Sequence, residues 1–447
     1  MRVQSWLSTC SSSTCTTSTA ALEPQLPPDT GSFSDTTTTT TTTPTSYSSN
    51  SSSNTCSPSL QSNLSLQTHP SVPSLHDLSL DSLNLSVSHL CLTSLKPRHH
   101  PSLPITCLAV HRRLLYAASV HEINVYESDV GDSESHLDAF NCGDLSSSGS
   151  VKAVAFCDGK VFTAHQDCKI RVWKMTSAKR HKLLTTLPTF NDRLRRFTFP
   201  KNYVTVRRHK KRLWIEHADA VTGLAVNNGL IYSVSWDKSL KIWRASDLRC
   251  LESVKAHEDA VNAVVVSGDG TVYTGSADKR IRVWTKPAGG KRHALVATLE
   301  KHKSAVNALA LNNDGSVLFS GSCDRSILVW EREESANHMA VTGALRGHRK
   351  AVLSLFNVCD FLFSGSADRT VRIWRSVQEG RYCCLAVLEG HAKPVKSLVA
   401  VTDGADSSNG VLTVFSGGLD GEAKVWQVSV SRPNSTVPSP VKLIRQN

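Results

Sequence analysis

The chain has 447 residues, 40% apolar and 20% charged, with a formal net charge of +12. No stretch approaches the roughly 18 consecutive apolar residues of a membrane-spanning helix, and the thirteen cysteines include no CxxC pair. That argues against a structural zinc site or a disulfide framework and for a reducing compartment. The start lacks an apolar stretch behind a basic end and has only Arg2 as a basic residue ahead of Glu23, so neither a secretory leader nor an organelle-import segment is expected. Of residues 1–88, 41 are Ser or Thr, including the run Thr36 to Thr43. Such a segment buries too little apolar surface to offset its conformational entropy, so 1–88 reads as a disordered tail. Within it, Thr43-Pro44 and Ser57-Pro58 have the form of proline-directed phosphorylation sites.

Leu90 to Leu95 (LCLTSL) reads as a short strand, and seven similar units follow. The first, 104–127, is degenerate: Tyr126 stands where later units have Trp, and Val120, His121 and Glu122 fill a turn that elsewhere contains Asp. His99 and His100 precede it at the position where later units place a His. Residues 127–150 hold six acids (Glu127, Asp129, Asp132, Glu134, Asp138 and Asp144) and no Lys or Arg. The second unit keeps Thr163, Asp167 and Trp173 but has Gly149 and Ser150 where the His belongs. Residues 174–216 reverse the charge, with thirteen Lys or Arg against Asp192 and Glu216.

Trp173 and Trp243 are 70 residues apart, whereas the later Trp-to-Trp steps are 41 to 52. The excess marks a basic insertion over 174–212, with Arg193, Arg195 and Arg196 in one cluster and Arg207, Arg208, Lys210, Lys211 and Arg212 in another. Alternation over Tyr203–Val206 and Leu213–Ile215 predicts a hairpin extending the outer strand, with the charges near its tip. Such a hairpin would leave its unit on the same side as the acidic 127–134 loop leaves the first.

Units three to seven each carry a His, a Ser or Thr, an Asp and a Trp. The sets are His217, Ser233, Asp237, Trp243; His257, Thr274, Asp278, Trp284; His302, Ser320, Asp324, Trp330; His348, Ser364, Asp368, Trp374; and His391, Ser416, Asp420, Trp426. Short alternating segments such as AVNALAL and SVLFSGS between turns such as Asn228-Gly229 and Asp314-Gly315 predict four strands per unit. Residues 429–447 read as a C-terminal tail.

These sets resemble the WD40 repeat family, whose members form β-propellers; the resemblance covers about 89–428 and implies an all-β, seven-bladed ring. It also implies that the four side chains form a hydrogen-bonded tetrad within each blade, and that the leading strand, 89–95, completes the last blade. Val441 to Ile444 is the alternative closing strand. Around KNYVTVRRHKKRLWIEHADAVTGLAV and SWDKSLKIWRASDLRCLESVKAHEDAVNAVV the chain is similar to plant WD40 proteins of the JINGUBANG type. That similarity implies a plant regulatory protein without catalytic activity.

A recurring His, Ser and Asp is the wrong arithmetic for a catalytic triad, which occurs once. No catalytic residue, metal or cofactor is expected. The expected function is that of a monomeric protein–protein scaffold or adaptor in cytoplasm or nucleus, with no membrane association. Candidate partner contacts are Trp236, which stands where other units have Ala277, Cys323, Ala367 or Leu419, together with Glu258, Asp259, Lys303, Arg349 and Lys350. The alternative is a nucleic-acid- or chromatin-associated factor acting through the basic residues 179–212. That segment also reads as a nuclear-import signal or a solvated loop; its few aromatics (Phe197, Phe199, Tyr203, Trp214), partly assigned to the core, weaken base stacking.

Overall fold

A computed structural model describes residues 72–75, 86–97, 102–128, 136–141, 149–177, 179–207, 210–290, 292–332, 339–378, 381–402 and 411–431. Strand β1 (Ser86–Leu95) is followed by the first blade, β2 (Ile105–His111), β3 (Leu114–Ser119), β4 (Glu122–Glu127) and β5 (His136–Phe140). The second blade is β6 (Val151–Cys157), β7 (Lys160–His165), β8 (Ile170–Met175) and β9 (His181–Leu187). Helix α1 (Phe190–Phe197) and the strands β10 (Tyr203–Arg207) and β11 (Lys210–Leu213) come next. The third blade is β12 (Val221–Asn227), β13 (Leu230–Ser235), β14 (Ser239–Arg244) and β15 (Cys250–Lys255); the fourth is β16 (Val261–Val266), β17 (Val272–Ser276), β18 (Arg280–Thr285) and β19 (Ala294–Glu300). The fifth is β20 (Val306–Leu311), β21 (Val317–Ser322), β22 (Ile327–Arg332) and β23 (Met339–Leu345); the sixth is β24 (Val352–Val358), β25 (Phe361–Ser366), β26 (Val371–Gln378) and β27 (Arg381–Leu388). The seventh contains β28 (Val395–Thr402), β29 (Val411–Gly418) and β30 (Ala423–Ser431).

Each blade is an antiparallel meander, and its first strand packs on the first strand of the next. The core therefore lies between blades. Phe361, Phe363 and Ile373 of the sixth blade meet Val414 and Trp426 of the seventh, and Leu115 and Tyr126 of the first meet Phe415 and Val425 of the seventh. The recurrent Gly after the tetrad Ser or Thr has a packing cause. A Cβ on Gly321 would stand 2.6 Å from Val352, and one on Gly417 would stand 2.6 Å from Ile105, so the next inner strand approaches only over a bare backbone.

The expected closure is present: β1 pairs antiparallel with β30, from Ser86 opposite Ser431 to Leu95 opposite Ala423. Both strands outrun their expected limits, residues 89 and 428. The alternative closing strand, 441–444, lies outside the described residues, as do His99, His100 and the acidic residues 129–135.

The expectation of an unattached tail through residue 88 fails at Val72–Leu75. Leu75 N–H donates to Ala344 O (3.0 Å), Ala344 N–H to Pro73 O (2.9 Å), and Tyr382 N–H to Leu75 O (3.3 Å), so the segment bridges the outer strands of the fifth and sixth blades. Leu75 packs with Phe319 and Tyr382, over Gly343, where any Cβ would overlap it. Four residues held largely through their backbone leave no periodic trace in a Ser-rich tract.

A chain beginning at Lys96 lacks β1 and exposes the edge of β30, so it is expected to lose its single cooperative thermal transition, measured by calorimetry. A chain beginning at Leu85 keeps β1 but loses the clip; its denaturant midpoint should fall by the equivalent of about 1–2 kcal/mol, the net worth of a few hydrogen bonds.

Candidate functional site

In blades three to seven the tetrads form as implied. In the fourth, Trp284 Nε1–H donates to Thr274 Oγ1 (3.0 Å), Thr274 Oγ1 lies 2.8 Å from His257 Nε2, and His257 Nδ1 lies 2.9 Å from Asp278 Oδ2. The third, fifth, sixth and seventh repeat this, with His–Asp distances of 2.9, 2.8, 2.9 and 2.9 Å. A neutral imidazole protonated on Nδ1 satisfies the whole chain, Trp to hydroxyl to His to carboxylate.

The Asp also shapes the surface. In the fourth blade Asp278 Oδ1 accepts the N–H of Arg280 (3.0 Å), closing its turn, while Oδ2 accepts the N–H of Glu258 (3.2 Å) as well as the ring of His257. The same Oδ2 bond holds Lys303 to Asp324 (3.0 Å) and Arg349 to Asp368 (2.9 Å). The residue after each of these tetrad histidines is thus fixed by its backbone, and the side chains of Glu258, Lys303 and Arg349 are exposed. Asp259 and Lys350 follow them, also exposed. The residue after each of these Asp takes a left-handed conformation: Lys279 (φ 73°), Arg325 (φ 74°) and Arg369 (φ 76°). Loops entering the first strand and turns entering the third lie at one end of each meander, as Val221 opposite Ser235 and Ser239 opposite Lys255 show. Five of the six candidate contacts, Glu258, Asp259, Lys303, Arg349 and Lys350, therefore share one face.

Trp236 joins them there, half-buried, with its N–H donating to Ala220 O and Lys152 Nζ 5.7 Å from its ring centroid. Burial, aided by the charge of Lys396, pushes the Lys152 ammonium down to about 8. Lys152 and Lys396 each hold the second position of an inner strand. Three equivalent residues reach to the next blade: Thr222 Oγ1–H donates to Val261 O (2.6 Å), Asn262 Nδ2–H to Val306 O (3.0 Å) and Asn307 Nδ2–H to Val352 O (2.9 Å). Sequence reasoning missed this row, whose signal was a polar residue after the first Val of successive units.

The second blade replaces its missing His from within. His165 on β7 places Nε2 2.7 Å from Thr163 Oγ1, which accepts from Trp173 Nε1 (2.9 Å). Asp167, with no imidazole to meet, receives both terminal nitrogens of Arg171 at 2.8 and 3.3 Å. In the first blade, Tyr126 Oη–H donates to Lys96 O (3.0 Å) and Glu122 is buried rather than set in an open turn.

The basic insertion differs from the expected extension of an outer strand. Its expected first part, 174–187, is the end of β8 and β9 itself, the fourth strand of the blade, so the inserted residues begin after Leu187; the acidic stretch follows a third strand, so the two leave opposite ends of their sheets. The hairpin β10–β11 is a sheet of its own, and the preceding α1 was not foreseen. Several of its cations are committed internally: Arg193 to Glu216 (3.3 Å), Arg196 to Asp192 (3.0 Å), and Arg212 Nη1–H to His217 O (2.7 Å). Lys211 is exposed; Arg207 is the last residue of β10 and Lys210 the first of β11, and Arg208 is outside the described residues.

Burial opposes ionisation of Asp278, but His257 and the N–H groups of Arg280 and Glu258 outweigh it and hold the carboxyl at about 2; Asp237, Asp324 and Asp368 are also lowered. Burial lowers His217 and takes His165 well below the ordinary imidazole value. All these folded-state values lie below the unfolded ones, so the unfolded chain takes up protons first. The His contribution is complete above about pH 6.5 and lost as pH falls through the folded values. The Asp278 contribution is complete above about pH 4 and lost toward pH 2. The melting temperature is expected to fall on acidification from pH 7, with His165→Ala removing part of the first stage. By chemical denaturation, Asp278→Ala should cost about 2–3 kcal/mol and His165→Ala about 1–3 kcal/mol, each by stranding buried partners.

Five segments match the family described as WD domain, G-beta repeat: residues 209–244, 248–285, 293–331, 340–375 and 382–427. The chain is 34% identical over 82 residues to Protein Notchless of Drosophila melanogaster, covering 18% of this chain and 16% of that protein. It is 32% identical over 74 residues to an uncharacterized WD repeat-containing protein of Schizosaccharomyces pombe, covering 16% and 14%. The chain thus spans about a sixth of the length of the curated relatives it matches. No helix among the described residues is long and apolar enough to cross a membrane. WD40 propellers generally act as protein-interaction scaffolds, and the fold is typically non-catalytic. Five matched segments, and two further blades outside them built on the same four-stranded meander, make this chain a WD40-repeat protein with a seven-bladed β-propeller.

Proposed function

We propose that this propeller is a regulatory adaptor, working in cytoplasm or nucleus, that binds an acidic surface of a partner protein across the face bearing Trp236. One observation carries the reading: the tetrad carboxylates clamp the backbone N–H of Lys303 and Arg349, so these side chains project from rigid positions. Arg325, Lys350 and Arg369 are exposed beside them on the fifth and sixth blades. A fixed backbone removes part of the ordering cost of meeting a carboxylate, and a half-buried Trp with Lys152 over its ring offers an anchor on the same face. On the fourth blade Glu258 is paired with Lys255 (2.8 Å), which leaves exposed Asp259 as the acid that would orient the partner.

The alternative, nucleic acid held by residues 179–212, draws on fewer cations than the sequence count offers, since Arg193, Arg196 and Arg212 are committed within the fold. Its support is the exposure of Phe197 and Phe199 beside Arg195 and Lys201.

The test is a chain carrying Lys303→Glu, Arg349→Glu and Lys350→Glu, compared with Trp236→Ala. Exposed charges contribute about 0–1 kcal/mol each, so melting should barely change. Cross-linked partners recovered with the wild type should be lost at least tenfold from the triple variant and be acidic at the cross-linked surface. Unchanged recovery would discard the reading. A labelled single-stranded oligonucleotide whose affinity falls steeply with salt, and less steeply after Arg195→Ala and Lys211→Ala, would favour the alternative.

A further inference from the structure

Helix α1 is mounted with its polar side inward. Thr189 caps it, its Oγ1 accepting Asp192 N–H at 3.2 Å. Asp192 is only 3% exposed, and its carboxylate takes Arg196 Nε–H (3.0 Å) and Cys250 N–H (3.4 Å) from β15. The Arg196 guanidinium lies 4.6 Å from the Trp214 ring centroid, and Arg193 pairs with Glu216. The opposite stripe, Phe190, Leu194 and Phe197, falls at the spacing that aligns side chains along one helix face. These residues are 75%, 51% and 51% exposed. Phe199 is also 51% exposed, and Tyr203, whose hydroxyl donates to Phe197 O, extends the patch.

An aromatic and aliphatic surface turned to solvent, on a helix whose one acid, Asp192, is buried against Arg196, marks a docking surface. We infer that this lateral face binds an acidic amphipathic peptide segment of a partner protein, with Leu or Phe side chains on the α1 stripe and Asp or Glu on the cations around it. Charge complementarity selects that occupant. Exposed Arg195 has no ion-pair partner among the described residues, and Lys201 and Lys211 are exposed on the segments that follow. Beside the stripe, a cavity of about 290 Å³ is lined by Arg195, Arg196, Arg249, Asn202 and Phe199, with Asp192 already paired to Arg196; Arg195 and Arg249 leave it net positive, with room for one acidic side chain. A bilayer would meet the apolar stripe but not enter a cationic cavity, and a nucleic acid strand would meet the cations but leave Leu194 bare. The site lies on the rim of the third blade, separate from the face assigned to the adaptor function, and does not rest on that assignment.

The full-length protein is titrated by fluorescence anisotropy with a synthetic labelled peptide carrying Phe or Leu at every third or fourth position and Asp or Glu between them. Saturable binding in about the 1–100 μM range is expected. Leu194→Ser and Arg195→Glu should each weaken it at least tenfold with unchanged melting, and Arg349→Glu should not. The inference is overturned if the acidic peptide fails to bind, if a Lys-for-acid version binds equally, or if either α1 variant binds like the wild type. It is overturned equally if phosphatidylserine vesicles or oligo-uridine, rather than the peptide, give the response that Leu194→Ser and Arg195→Glu abolish.

Discussion

A ring of sheets packed inner strand on inner strand has no natural end, so its stability hangs on how the first and last blades are joined. Here the join is the antiparallel pairing of β1 with β30, which takes nine of the ten residues of β1 and skips Leu92. It converts what would be an exposed three-stranded edge into a blade like the others, and it brings the two ends of the folded chain together. Every inter-blade layer then has a neighbour on both sides. The Val72–Leu75 clip adds a second fastening, across the fifth and sixth blades.

Within blades, the tetrad joins stability to surface design. Its carboxylate serves the buried ring on one oxygen and the adjoining turn on the other, while a loop N–H shares the first. Deleting the Asp would therefore unseat Glu258, Lys303 or Arg349 as well as destabilise the blade. Loss of partner binding in a tetrad variant says nothing by itself about direct contact; the exposed-charge variants do. The second blade shows how tolerant the network is. A His two residues along the same strand reaches the Thr, though its own Nδ1 finds no partner among the described residues, and a neighbouring Arg satisfies the Asp, because most buried polar atoms need partners rather than a particular partner.

Helix α1 reverses the usual arrangement. Its interior contacts are an Asp–Arg pair and a cation over Trp214, and its exterior is aromatic. A basic stretch read by composition alone looks like a solvated loop or a nucleic-acid tract. Folded, it divides into cations committed to the insertion's own architecture and a smaller set, with Arg195 foremost, left beside an apolar stripe.

The repeat was legible because it is enforced five times by the same physics. A His, a hydroxyl, an Asp and a Trp at fixed spacing follow from one hydrogen-bonded chain in one strand geometry, and the leading strand was legible because a ring must close. Glu122 and His165 were not, since degenerate units solve the same burial problem with other residues whose spacing carries no pattern. Val72–Leu75 was hidden because backbone pairing is indifferent to side-chain type. The direction of α1 was beyond reach for a related reason: FNDRLRRF is amphipathic whichever way it faces, and local propensity says nothing about which stripe the neighbouring surface accepts. Only the placement of Trp214, Glu216 and Cys250 N–H beside it made burial of Asp192 and its Arg partner favourable. The sequence alone determined the fold and its tetrads, through local repetition; the outward face of the insertion was decided by contacts between segments distant in the chain, as with Asp192 and Cys250.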